Sequence, residues 1–150
     1  MPRHGHPMLA WQRVSVQAAG AALLLTGLLW LALHYGAGAG RGELPHPWEG
    51  WTMRLHALTG LWAVFMLGVM AAAHVPWGWR TSGRRHLGAQ RQLGITLCTL
   101  GAAAALSGYA LMYLVSESAR PPLGWLHSAI GVAMALVLWV HRRAVARQRH

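Results

Sequence analysis

Histidine is the residue type with which this sequence could do chemistry. Ten are present, and four close the ends of two apolar runs: His56 and His74 in one, His127 and His141 in the other. On a helix advancing about 100° per residue, the interval from His56 to His74 makes roughly five full turns, so both imidazoles leave one face. The interval from His127 to His141 falls only about 40° short of four turns. Each run therefore carries two imidazoles along one stripe. Imidazole in hydrocarbon is costly unless something binds it, so four in register call for a ligand. Haem iron held between two axial histidines is the ligand favoured here, with two haems b expected and one as the lesser expectation. No pair of carboxylates, activated nucleophile or glycine-rich phosphate loop accompanies them, so chemistry by the polypeptide alone is not expected. The one cysteine, Cys98, lies in an apolar run without a disulfide partner and reads as a small buried hydrophobe.

Elements that could position these imidazoles follow from composition. The chain has 150 residues, 55% hydrophobic and 11% charged, which is too apolar for a soluble domain of this size and reads as an integral membrane protein. Four runs, 14–35, 52–74, 92–115 and 123–141, each approach the roughly 20 residues that span a hydrocarbon core. Backbone polar groups in lipid must be satisfied within a segment, and runs this continuous are too long for barrel strands, so all four should be helices. The expected fold is all-α, a single membrane domain over 1–150 built as a four-helix bundle. The first run resembles a signal peptide, with basic residues ahead of it and Ala37-Gly38-Ala39 behind it. Its apolar part exceeds the usual ~7–15 residues of a signal core, so it is expected to be retained.

Arginines assign the sides. All 13 basic residues are arginine, and ten lie in three places: Arg3 and Arg13 before the first run, Arg80, Arg84, Arg85 and Arg91 between the second and third, and Arg142, Arg143, Arg147 and Arg149 after the fourth. The other two connections hold Arg41, Arg54 and Arg120 with all three acids, Glu43, Glu49 and Glu117. The positive-inside rule then places both termini in the cytoplasm, N-in and C-in. Arginines clustered between spans also explain the formal charge of +10 without nucleic acid as a partner. Trp11, Trp77, Trp79 and Trp139 fall near the inner boundary of this frame, and Trp30, Trp48, Trp51 and Trp125 near the outer.

An internal duplication is faintly legible. Gly20 to Gly27, GAALLLTG, resembles Gly101 to Gly108, GAAAALSG, and Leu55-His56 followed by Gly60 resembles Leu126-His127 followed by Gly131. The second match repeats a rare residue at the corresponding place, so the chain reads as two duplicated helical hairpins. His56 and His127 would then lie near the outer boundary, His74 and His141 near the inner, with a haem between the second and fourth helices at each level. Gly60 and Gly131, one turn on from the outer histidines, could make room for a flat macrocycle. Gly94, Gly101 and Gly108 form a further stripe, for which close helix packing is at least as good a reading. Arg54, Arg120 and Arg80 are candidate counter-ions for haem propionates.

The LHxxxG start of the second run, Ser107-Gly108-Tyr109 in the third and the His127 and His141 pair in the fourth resemble the bacterial dihaem b-type cytochromes that serve as membrane subunits of respiratory dehydrogenases and hydrogenases. The resemblance covers roughly residues 55–143. It implies noncovalent haem b, electron transfer between a quinone pool and a periplasmic or membrane-bound redox partner, a place in the bacterial inner membrane as a multi-pass subunit, and His56, His74, His127 and His141 as ligands. Whether such a subunit is itself an enzyme is left open by the resemblance. One departure stands out: at about 1.5 Å per residue the second-run histidines are roughly 27 Å apart and the fourth-run pair roughly 21 Å. Tilt would absorb part of that difference.

Other residues compete for these roles. His34, at the outer end of the first run, could replace His56 or bind quinone, and His86 could stand in for His74. His46, between Pro45 and Pro47, reads as a loop residue, and His4, His6 and His150 as solvated tails. Methionines such as Met53, Met66, Met70, Met112 and Met134 read as core filler. The loop 36–51, with Trp48 and Trp51, is the expected docking surface for a partner or a quinone headgroup. Two other functions fit the helices: a histidine-lined metal-ion or proton transporter, which would lack carboxylates within its spans, and a cofactor-free membrane anchor, which would leave the aligned histidines without a purpose.

Overall fold

The computed structural model describes residues 8–84 and 88–147, and its regular secondary structure is helical throughout. Four α-helices run α1 Ala10–Ala37, α2 Pro47–Arg84, α3 Gly88–Tyr113 and α4 Arg120–Arg147, with a single 3-10 turn at Ala39–Arg41. All four are long and apolar enough to cross a membrane. Large apolar side chains such as Leu25, Leu61 and Leu106 are exposed along them, as suits contact with lipid and not with water. These features are compatible with a multi-pass membrane protein. Arg3, Arg85, Arg149, His4, His6, His86 and His150 lie outside the described residues, as do the side chains of Arg84 and Arg147.

Every helix begins before its apolar run and all but α3, which stops at Tyr113 within the run 92–115, continue past its end, because hydropathy marks only the stretch that lipid must cover. The largest difference is in α2, which begins at Pro47 and not at residue 52, so Trp48 and Trp51 belong to a helix and not to a loop. Proline suits that first position, since its missing N–H would have no partner there. At its other end α2 continues through Pro76 to Arg84. His74, the last residue of the run 52–74, is consequently inside the helix and not at its end. Pro76 removes the hydrogen bond to the Ala72 carbonyl, a loss that spanning helices tolerate. Pro121 and Pro122 fall in the first turn of α4, where proline is accommodated.

The chain divides into two compact units, Leu9–Met66 and the stretch from Leu67 onwards. In the first, α1 opens with the Leu9 N–H donating to the Gln12 side chain at 3.0 Å and closes where Arg41 Nη1 donates to the Gly36 carbonyl at 2.8 Å. Gly42 then takes the left-handed φ of 83° that turns the chain toward α2. Met66 is 1% exposed and Ala19 is buried. In the second unit α3 packs against α4. Gly101 lets Leu67 approach, since a Cβ there would lie 3.1 Å from the leucine Cδ2, so this member of the glycine stripe serves packing. Cys98 is exposed and not buried: it lies on an outward face of α3, where lipid accepts a thiol as readily as a core does.

Candidate functional site

The same local arrangement occurs in each unit. In the first, Thr26 on α1 faces His56 on α2, with Oγ1 2.9 Å from Nδ1. In the second, Ser107 on α3 faces His127 on α4, with Oγ 2.8 Å from Nδ1. Each hydroxyl also donates to its own helix, Thr26 to the Ala22 carbonyl at 2.6 Å and Ser107 to the Ala104 carbonyl at 3.1 Å. A hydroxyl has one proton, and a carbonyl can only accept. When that proton goes to the helix carbonyl, the oxygen accepts Nδ1–H from the imidazole, and the ring is then in the Nδ1–H tautomer with the lone pair on Nε2. That is the tautomer of a histidine that binds metal through Nε2 while its other nitrogen is anchored by an outer hydrogen bond.

The glycine after each hydroxyl residue completes the seat. A Cβ at Gly27 would lie 3.4 Å from His56 Cε1, and one at Gly108 would lie 3.3 Å from His127 Cε1. The rings lie almost flush against bare backbone. Beside Gly60 and Gly131, where room for a macrocycle was expected, a Cβ would meet nothing within 4 Å.

His74 and His141 are both in the second unit and are held differently. They lie within electrostatic range of each other. Each has a buried Nδ1 with no hydrogen-bond partner among the described residues. A buried ring nitrogen left this way is a cost that native structures rarely carry without reason. Two imidazoles on α2 and α4 with unsatisfied ring nitrogens are a donor set of the kind that could hold a haem. His74 also lies against Trp77, with ring centroids 6.1 Å apart.

His34 has another partner. Its Nδ1 is 2.9 Å from Glu49 Oε2, and the ring stacks on Trp30 at 4.5 Å with its edge toward Tyr35. Glu49 is 8% exposed and also accepts the backbone N–H of His46 at 2.9 Å and of Ala39 at 3.4 Å. His46 is the residue before α2, and its own Nδ1 accepts the Trp48 N–H at 3.2 Å. Residues 46 and 49 thus satisfy each other's end of the helix in the manner of a capping box. Sequence reasoning placed Glu49 among the exposed loop acids and missed this role. The signal was available, in an acid three residues after a polar residue and two after a proline. Glu49 also fixes Gly38, because a Cβ there would collide with its carboxylate.

Two of the expected propionate counter-ions have other neighbours. Arg54 lies over the Trp51 ring at 4.9 Å, and Arg120 lies 3.5 Å from Glu117 with both side chains exposed. Among the described residues no group of three or more His, Cys, Asp and Glu side chains comes together as an ion cage. Comparison with family models, with curated proteins and with solved structures finds no match. The imidazole geometry is therefore what a functional reading must rest on.

Proposed function

We propose that the chain is a b-type cytochrome that carries electrons across the bacterial inner membrane between quinone and a periplasmic or membrane-bound redox partner. In this reading the helices form one four-helix bundle of two duplicated hairpins with both termini in the cytoplasm. His56, His127, His74 and His141 would hold two haems b. The observation that carries the proposal is the repeated contact of an imidazole Nδ1 with a helix hydroxyl, at Thr26 with His56 and at Ser107 with His127. It explains why the sequence repeats Thr-Gly and Ser-Gly along with Leu-His, since the hydroxyl and the glycine both serve the imidazole. That sequence repeat is what assigns His56 and His127 to one level.

When bound, haem b supplies a one-electron ferric/ferrous couple. The chain's residues do the rest. Thr26 and Ser107 hold the ligand rings at the angle and tautomer that present Nε2. Gly27 and Gly108 let those rings lie close to the helices, and the apolar spans exclude water. His74 and His141 bring two further nitrogens.

An optical spectrum of the detergent-purified protein, oxidised and dithionite-reduced, with haem counted per polypeptide, tests this directly. Two haems b per chain are expected. His56→Ala or His127→Ala should remove one, and His74→Ala or His141→Ala the other. A chain that takes up no haem when expressed with ample haem supply would overturn the reading in favour of a transporter or an anchor.

A further inference from the structure

One end of the second unit gathers positive charge with no acidic side chain of that unit, among the described residues, beside it. The Gln90 side chain donates to the Ala144 carbonyl at 3.4 Å, tying the first turn of α3 to the last turns of α4. Arg91 follows Gln90, and Arg143 precedes Ala144, so both arginines flank this contact. The Arg91 guanidinium lies over the Trp79 ring at 3.5 Å and the Arg143 guanidinium over the Trp139 ring at 3.8 Å. Arg142 is exposed beside them.

The only acidic side chain after Leu67 is Glu117, which pairs with Arg120 at the other end of α4. At about 1.5 Å per residue, Arg120 is roughly 35 Å along the helix from Arg143. Among the described residues of this unit neither tryptophan-stacked guanidinium has an acidic side chain within reach, and stacking consumes none of its N–H donors. Beside Arg143 runs a groove of about 210 Å³ lined by Trp139, Val140, Arg143 and Ala144. It has a cationic donor at one point and apolar wall elsewhere, and it sits where a spanning helix gives way to arginine.

We propose that this end of the α3 and α4 pair binds the phosphate of an anionic phospholipid headgroup. Arg143 and Arg91 supply the charged donors, and the Trp139, Val140 and Ala144 wall takes the glycerol and upper acyl segment. A phosphodiester matches the guanidinium fork. The absence of any acid at this end gives a choline or ethanolamine ammonium nothing to pair with, so an anionic headgroup is preferred to a zwitterionic one. The groove's apolar wall is what distinguishes a lipid from a free phosphate ion.

The test is native mass spectrometry of the full-length protein in neutral detergent, titrated with dioleoyl phosphatidylglycerol or dioleoyl phosphatidylcholine. Retention of phosphatidylglycerol at a roughly tenfold lower concentration than phosphatidylcholine is expected, as two interfacial arginines can supply. The Arg91→Gln, Arg143→Gln double variant should abolish the difference, Trp139→Ala should reduce it, and Arg41→Gln should leave it intact. Circular dichroism checks that each variant keeps its helices, and Arg143→Lys, which retains charge without the fork, should fall between. Equal retention of the two lipids, or discrimination that survives in the double variant, would overturn the proposal. Displacement of the lipid by millimolar inorganic phosphate would overturn it too, by assigning the site to a free anion.

Discussion

At Thr26 and Ser107 the position of a single hydroxyl proton governs what a histidine can offer. Where the hydroxyl proton goes to the carbonyl of its own helix, the oxygen accepts from Nδ1 and the lone pair stays on Nε2. Removing the oxygen removes the anchor without touching the ligand. Ser107→Ala and Thr26→Val should each lower haem affinity by about 10- to 100-fold while leaving helix content unchanged, read from haem retention during dilution. Retention equal to that of the parent chain would mean that the hydroxyls only fill space. The four histidines and the repeat around two of them were legible in the sequence, since a rare polar residue in an apolar run is visible without coordinates. The purpose of the repeated Thr-Gly and Ser-Gly was not, because serine, threonine and glycine are common in spanning helices for reasons of packing alone. The orphaned Nδ1 atoms of His74 and His141 were equally invisible, as they depend on what surrounds the rings.

Helices extend this logic from atoms to segments. The start of α2 is fixed by His46, Pro47 and Glu49, and the same carboxylate reaches back to His34 and Ala39 near the end of α1. One buried acid therefore orders both sides of the turn. Gly38→Ala places a methyl group against that carboxylate and should destabilise the fold by about 1–3 kcal/mol, seen as a lower Tm in detergent. An unchanged Tm would show that Glu49 has room to move. Helix existence and order were legible from four apolar runs, but helix ends were not. Hydropathy falls before helical bonding stops, so Trp48, Trp51, Pro76 and the residues beyond His74 were assigned outside elements that contain them. Cys98 was misplaced for a related reason: apolar and buried are synonyms in a water-soluble protein but not in a chain that can expose apolar side chains to lipid.

Over the whole molecule, charge distribution carries the argument. Ten arginines lie in the segments assigned to one side, and all three acids lie in those assigned to the other. If, as proposed, both termini lie in the cytoplasm, a C-terminal green fluorescent protein fusion should fluoresce in cells and a C-terminal alkaline phosphatase fusion should be inactive. The reverse pair of results would invert the frame and move the Arg91 and Arg143 end to the other leaflet.

The hydroxyl bridges also bear on whether electrons travel alone. Each chain of hydrogen bonds from His56 or His127 ends, after one hydroxyl, on a helix carbonyl. A peptide carbonyl at the end of such a chain has no basic site to take up a proton near neutral pH, so along this route the ligand imidazole has no acceptor for its Nδ1 proton. A carboxylate in the same place could take up part of that proton on oxidation. Redox change at haem held by these two residues should accordingly be uncoupled from protonation, with a midpoint potential that stays flat between about pH 6 and 8. A slope near 59 mV per pH unit, the one-electron, one-proton value, would require a proton acceptor other than Thr26 or Ser107.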